Sequence, residues 1–183
     1  MIELSEQQSH LVEACRKAHA ATALRGNISH TTLVGAAMGS GDYFKSIAAA
    51  LMTTGNLHAP LCQTYALLID PNPIAMVENM LKTGRKVPGW GNAFEKNEAD
   101  PAWKQCAKLI EEYDGNLAKN ISLITVMFHS LGKWIFPNPS CYTAATAICI
   151  GLPAEACGYL FLSGRLDAWT EEFIKVRASQ GII

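Results

Sequence analysis

Between Gly84 and Asn92 the chain reads Gly-Arg-Lys-Val-Pro-Gly-Trp-Gly-Asn, so that two cations, Arg85 and Lys86, precede a Pro88-Gly89-Trp90-Gly91 turn. Glycine and proline fix tight turns whatever side chain comes next. A bare turn needs neither the tryptophan nor the two basic residues, so this composition favours a ligand. Asn92 donates hydrogen bonds to an oxygen, but an amide does not deliver a proton near neutral pH. His58 stands at the start of a helical stretch, where a lone histidine serves either as a hydrogen-bonded structural residue or as a catalyst. Arg165 has Asp167, Glu171 and Glu172 nearby as ion-pair partners and is equally suited to a ligand carboxylate. Ser140 lacks an adjacent base and cannot take a proton from carbon. Its neighbour Cys141 has no histidine beside it in sequence and reads as a buried, inert thiol, while His30 and His129 read as structural.

The elements that must position these residues are helical throughout. Leu11, Val12, Cys15, Ala18 and Thr22 recur at the spacing of one helix face within Ser5–Leu24. Asn27 to His30 reads as a break, Thr31 to Met38 as a short apolar helix, and Asp42 as the N-cap of a helix running to Leu51. Leu61 to Ile69 is stopped by Asp70-Pro71-Asn72-Pro73, and Ile74 to Lys82 by Gly84. Asp100-Pro101 opens a helix through Trp103 to Tyr113 that Gly115-Asn116 ends; Leu117 to Leu131 follows as a buried helix. Cys141 to Ile150 and Glu155 to Arg177 complete the chain, the latter with an expected irregularity at Gly158 and Gly164. No segment alternates with period two, and the fold class is all-α.

A chain of 183 residues, 49% hydrophobic, is long enough for one sizeable core. Lys+Arg 15 against Asp+Glu 16 leaves a net charge of -1, with no basic block of the kind that binds nucleic acid or an anionic membrane. Apolar stretches stop well short of a bilayer span, and Met1 to Leu11 lacks a signal-peptide core. The expectation is a soluble, cytoplasmic protein. Six cysteines form no CxxC or CxxH pair, so reduced thiols and no metal site are expected.

Four segments, in order, resemble the citrate synthase superfamily. Asn27-Ile28-Ser29 with Ala36, Ala37 and Asp42 resembles N-A-S-T-F-x-x-R-x-x-A-S-T-x-x-D, and Gly55-Asn56-Leu57-His58-Ala59 resembles G-P-L-H-G. The loop through Trp90 resembles G-x-x-P-G-F-G-H. Phe136-Pro137-Asn138-Pro139-Ser140-Cys141-Tyr142, Gly151-Leu152-Pro153 and Arg165-Leu166-Asp167-Ala168-Trp169 resemble Y-P-N-V-D-F-Y, G-I-P and the S-R-x-x-G-W stretch. On these segments the chain is identified as a short, degenerate member of the superfamily, similar to citrate synthase or citryl-CoA lyase and N-terminally truncated relative to it. The implied organisation is residues 1–58 as large-domain-like helices, 59–137 as a small lobe with the coenzyme A loop, and 138–183 as a return to the large domain.

The resemblance implies coenzyme A or an acyl-CoA as a substrate, held by Arg85, Lys86, Val87, Pro88, Gly89, Trp90 and Gly91. His58 matches the histidine that polarises the thioester carbonyl. The family's second histidine reads Asn92 here, its aspartate base reads Ser140, and a further substrate histidine aligns with Leu24. Arg165 matches a carboxylate-binding arginine, and Asn27 falls in the substrate-binding segment. The family's D-P-R is Asp100-Pro101-Ala102, so one phosphate contact is missing, with Arg85, Lys86 and Lys96 as partial substitutes. Family members are longer chains that work as dimers, which makes a homodimer the expected assembly. Two functions follow: a divergent enzyme for acyl-CoA condensation or citryl-CoA-lyase-type cleavage, or a catalytically inactive helical module for binding, regulation or structure.

Overall fold

The computed structural model describes residues 3–54, 59–92 and 98–181. Nine α-helices are found there: α1 (Glu6–Thr22), α2 (Ile28–Ser40), α3 (Tyr43–Met52), α4 (Leu61–Ile69), α5 (Pro73–Lys82), α6 (Lys104–Tyr113), α7 (Gly115–Ser130), α8 (Pro139–Cys149) and α9 (Cys157–Ser179). Short 3-10 turns at Pro101–Trp103 and Ala154–Ala156 lead into α6 and α9. The described residues contain no strand, only an isolated antiparallel bridge between Trp90 and Pro137. No described helix is long and apolar enough to cross a membrane.

Capping chemistry sets most of the boundaries. Ser5 and Gln8 form a reciprocal capping box on α1, worth about 1 kcal/mol. The stretch at Asn27, expected to be a break, is a helix start: the Asn27 side chain accepts from the His30 N–H, so α2 begins at Ile28 and ends on Gly41. Gly115, expected to end a helix, begins one instead. The Asp114 carboxylate accepts the backbone N–H groups of Asn116 and Leu117, which starts α7 immediately after α6.

The core is organised around α8, in which Ser140 to Ala147 and Cys149 are all buried. Its small residues let α1, α4, α6 and α9 pack on every side. α1 and α9 approach most closely at Gly164, where an added Cβ would sit 2.5 Å from His19 Cβ and 2.9 Å from the Arg16 carbonyl oxygen. The expected irregularity at Gly158 and Gly164 is absent because this glycine serves helix contact, and α9 runs unbroken from Cys157. α2 and α3 pack together and onto α9, where the Tyr43 and Thr170 hydroxyls meet at 2.8 Å. The turn containing His58 and the position of Lys96 lie outside the described residues.

Candidate active site

The loop after α5 is held through its backbone groups and by the side chain of Trp90. Gly91 N–H donates to the Phe136 carbonyl at 2.9 Å, Asn138 N–H donates to the Gly89 carbonyl at 2.9 Å, and the Asn138 amide donates to the Gly91 carbonyl at 2.9 Å. Asn138 also caps α8, its Oδ1 accepting from Ser140 N–H at 2.9 Å. One side chain therefore fixes the loop to the N-terminus of the central helix. Gly89 has φ +86, and a Cβ there would lie 2.5 Å from Thr64 Cγ2, so the turn requires glycine. Trp90 is only 7% exposed and its indole N–H donates to Thr125 Oγ1 at 3.1 Å. The tryptophan braces the loop against α7.

These constraints place the loop along one wall of a cleft of about 1110 Å³. Arg85 through Asn92 form that wall; Ala66 of α4 and Met76 and Met80 of α5 form an apolar flank, with Gln63 of α4 also in the lining. Thr22, Arg25 and Asn27 come from the α1–α2 junction, Ser140 from α8, and Phe161 and Arg165 from α9. Asn27, Arg85 to Asn92, Ser140 and Arg165, separated by up to about three quarters of the sequence, thus meet in one place. The lining carries four cations (Arg25, Arg85, Lys86, Arg165) and one acid (Asp100), a balance of +3 in a chain whose total is -1. Positive potential concentrated in a cleft selects anionic ligands.

Arg165 is the centre of that electrostatic field. It is 5% exposed, its Nε and Nη1 have no hydrogen-bond partner, and its guanidinium lies 4.6 Å from the centroid of the Phe161 ring. Burial lowers its pKa to about 10, so it stays charged at neutral pH. The acids expected as alternative partners are engaged elsewhere or exposed: Asp167 lies 3.8 Å from Arg16, and Glu172 lies 3.5 Å from His30. Behind Arg165, His19 is fully buried between Trp103 and Phe161, with Nε2 2.7 Å from Thr143 Oγ1. Burial first, and the Arg165 charge second, hold its pKa well below the ordinary histidine value, so it is neutral.

The remaining expected residues are less exposed to chemistry. The Asn27 amide is committed to backbone, accepting from His30 and donating to the Thr22 and Ala23 carbonyls at 3.3 and 3.2 Å. Ser140 is buried at the floor, and burial pushes the Cys141 thiol well up, which leaves it inert. No cluster of metal-ligating side chains occurs among the described residues. Sequence reasoning missed Asn138, Arg25, Asp100 and the two methionines. Asn-Pro before an apolar helix was a signal for the first; nothing local marks the others.

No family model and no curated protein matches the sequence. Solved structures do match. Citrate synthase from Thermotoga maritima superposes with a TM-score of 0.81 at 23% identity over 94% of this chain. The chain has the citrate synthase fold. Citryl-CoA lyase from Hydrogenobacter thermophilus superposes with a TM-score of 0.79 at 19% identity, again over 94% of the chain. The ATP citrate lyase of Methanosaeta concilii, solved with (3S)-citryl-CoA, gives 0.79 at 16% identity over 98%. The chain spans 70% of the lyase, 50% of the citrate synthase and 32% of the ATP citrate lyase.

Proposed function

We propose that the cleft binds coenzyme A or an acyl-CoA along Arg85 to Gly91 and an acid at Arg165, without efficient citrate synthesis. The observation that carries this reading is the buried, unpartnered Arg165 guanidinium inside a cleft whose lining balance is +3. A charge held out of water with no partner is costly unless a ligand supplies one. The Gly89 turn supports the thioester end, because its backbone groups are fixed by Asn138 and Phe136 whatever side chain stands at Asn92. The fold likeness to a protein solved with (3S)-citryl-CoA is consistent with this ligand class.

Chemistry at the site is reduced to polarisation. Asn92 lines the cleft as an amide donor, and Ser140 stands where a carboxylate base is expected from the resemblance. The carboxylate in the lining, Asp100, already accepts from Ala102 N–H at 3.0 Å and from Arg25 at 2.9 Å. His58, outside the described residues, is proposed as the thioester-polarising group. Citryl-CoA-lyase-type cleavage of a carbon–carbon bond, or a slow condensation, is the enzymatic form of this reading. Its alternative, a catalytically inactive binding module, is favoured by the absence of an uncommitted carboxylate in the described lining.

We also propose that residues 59–137 form the lobe on one side of the cleft, and that the chain self-associates through α2 and α3. α2 carries no Asp, Glu, Lys or Arg, and Met38, Phe44 (80% exposed) and Met52 (86%) extend an apolar surface from it. The functional test pairs two assays. Release of CoA from acetyl-CoA plus oxaloacetate, and formation of acetyl-CoA and oxaloacetate from citryl-CoA, separate enzyme from module; turnover abolished by His58→Ala supports the enzyme, and CoA binding without turnover supports the module. Citrate formation at the rate of an ordinary citrate synthase would contradict the account.

A further inference from the structure

A second groove, of about 770 Å³, lies between α6 and α7 and shares no lining residue with the cleft. The two helices form a hairpin that turns at Asp114, which ends α6 and caps α7. Lys104, Ala107, Lys108 and Glu111 recur at the i, i+3, i+4, i+7 spacing of one α6 face. That face meets the lining of α7 from Gly115 to His129, about 21 Å of helix. The space exists because Ala107 and Ala118 end at Cβ, while Ile110 and Ile121 supply an apolar base. Elongated, apolar and of a volume ordinary for small-molecule sites, the groove suits a chain-like ligand.

One end of the groove is polar. Tyr142 of α8 lines it, only 7% exposed, and its hydroxyl has no hydrogen-bond partner among the described residues. Burial first, then the neighbouring Cys141 and Cys106 thiols and the Asp100 carboxylate, push its pKa up, so the hydroxyl keeps its proton and can donate. Tyr142 stacks on Trp103 at 5.5 Å, and Lys104, the next residue in the chain, opens α6. Lys104 has no ion-pair partner among the described residues, whereas Lys108 is 3.4 Å from Glu112. Lys119, nearer the turn, is offset in charge by Glu111 of the same lining. An unsatisfied hydroxyl donor, an unpaired ammonium and the positive end of a helix dipole thus meet where the apolar walls begin. We propose that this groove binds a carboxylate with an apolar chain, its head group held by the Tyr142 hydroxyl and Lys104 and its chain lying between Ala107 and Ala118. Charge complementarity selects the acid over a neutral lipid.

The test titrates the full chain with hexanoate, octanoate and decanoate by calorimetry, beside the alcohols of the same length, with and without CoA. One site per chain is expected, tightening up to about fourfold per added methylene. Each acid should bind roughly tenfold more tightly than its alcohol. Tyr142→Phe keeps the ring on Trp103, and Lys104→Gln changes an exposed side chain. Each should remove most of the preference for the acid and leave alcohol affinity unchanged; should Tyr142→Phe fail to fold by circular dichroism, Lys104→Gln carries the same comparison. Ser122→Trp, at an exposed position of the lining, should block both ligand classes without altering CoA binding. No binding at millimolar ligand, equal affinity for acids and alcohols, displacement of decanoate by CoA, or binding unmoved by Ser122→Trp each overturns the proposal. Self-association that Ser122→Trp abolishes, without carboxylate binding, overturns it in favour of an interface between copies of the chain.

Discussion

Replacing Arg165 by methionine should stabilise the empty protein while removing its acid site. Burial takes the Arg165 pKa to about 10, and a fall of that size corresponds to about 3 kcal/mol spent on keeping the charge inside the fold. Methionine matches the unbranched stem and fills the space as an apolar group. Loss of the contact with the Phe161 ring at 4.6 Å returns about 1 kcal/mol of that cost. The net gain is about 1–2 kcal/mol, or about 2–8 °C in Tm for a chain of this size. The sign of the pH dependence follows from linkage. Below about pH 10 the arginine is charged in both folded and unfolded chains, so its cost is constant. It is relieved only as pH rises through that value, so the Tm gain of Arg165→Met should be flat from pH 6 to 9. Thermal melts followed by circular dichroism, with calorimetric titration of the acid ligand, measure both effects. A variant destabilised by 2 kcal/mol or more, or one that retains acid binding, would refute the argument that this guanidinium waits for a ligand.

Three further outcomes are expected. Gly89→Ala puts a methyl 2.5 Å from Thr64 Cγ2 at φ +86; it should cost about 2–4 kcal/mol and weaken CoA binding at least tenfold, with Thr64→Ser restoring part of both in melts and titrations. The neutral, buried His19 makes unfolding take up a proton once pH falls below about 6.5, so stability should drop by up to about 1.4 kcal/mol per pH unit there. Denaturant midpoints measured from pH 7 to 5 check this, and His19→Gln should flatten the slope. Asn92→His combined with Ser140→Asp should raise citrate formation above wild type, by up to ~10²–10⁴-fold for each restored proton-transfer role; retained CoA binding with no gain in turnover would show that more than these two groups is missing.

The helical class and most boundaries were legible because periodicity and caps are local. Asp42, Asp100 and Ser5 announce helix starts that the structure keeps. Asn27 and Gly115 misled for the same reason: both are residues that break helices and also begin them, and the backbone N–H that decides between the two is not visible in the sequence. The glycine frame around Trp90 was readable as a ligand loop, but its fastening by Asn138, 47 positions away, was not. Arg165 was ambiguous in sequence because three acids stand near it on α9; only the fold directs it inward and leaves those acids behind. Arg25 had no local signature and Asp100 was legible only as a cap, since their pairing depends on how the α1–α2 junction meets the turn before α6.

The central claim is that the Gly89 turn holds an acyl-CoA and Arg165 holds an acid in one cleft. Proton–nitrogen NMR of the uniformly labelled chain tests it most directly, by following the Arg165 Nε–H and the Gly89 and Gly91 amides during addition of acetyl-CoA and then oxaloacetate. The account predicts that acetyl-CoA shifts the two glycine amides, that oxaloacetate moves the Arg165 Nε–H downfield as its unpartnered donor gains an acceptor, and that Arg165→Met abolishes only the second response. Shifts confined to other surfaces, or an unmoved Arg165 resonance at saturating ligand, would contradict it.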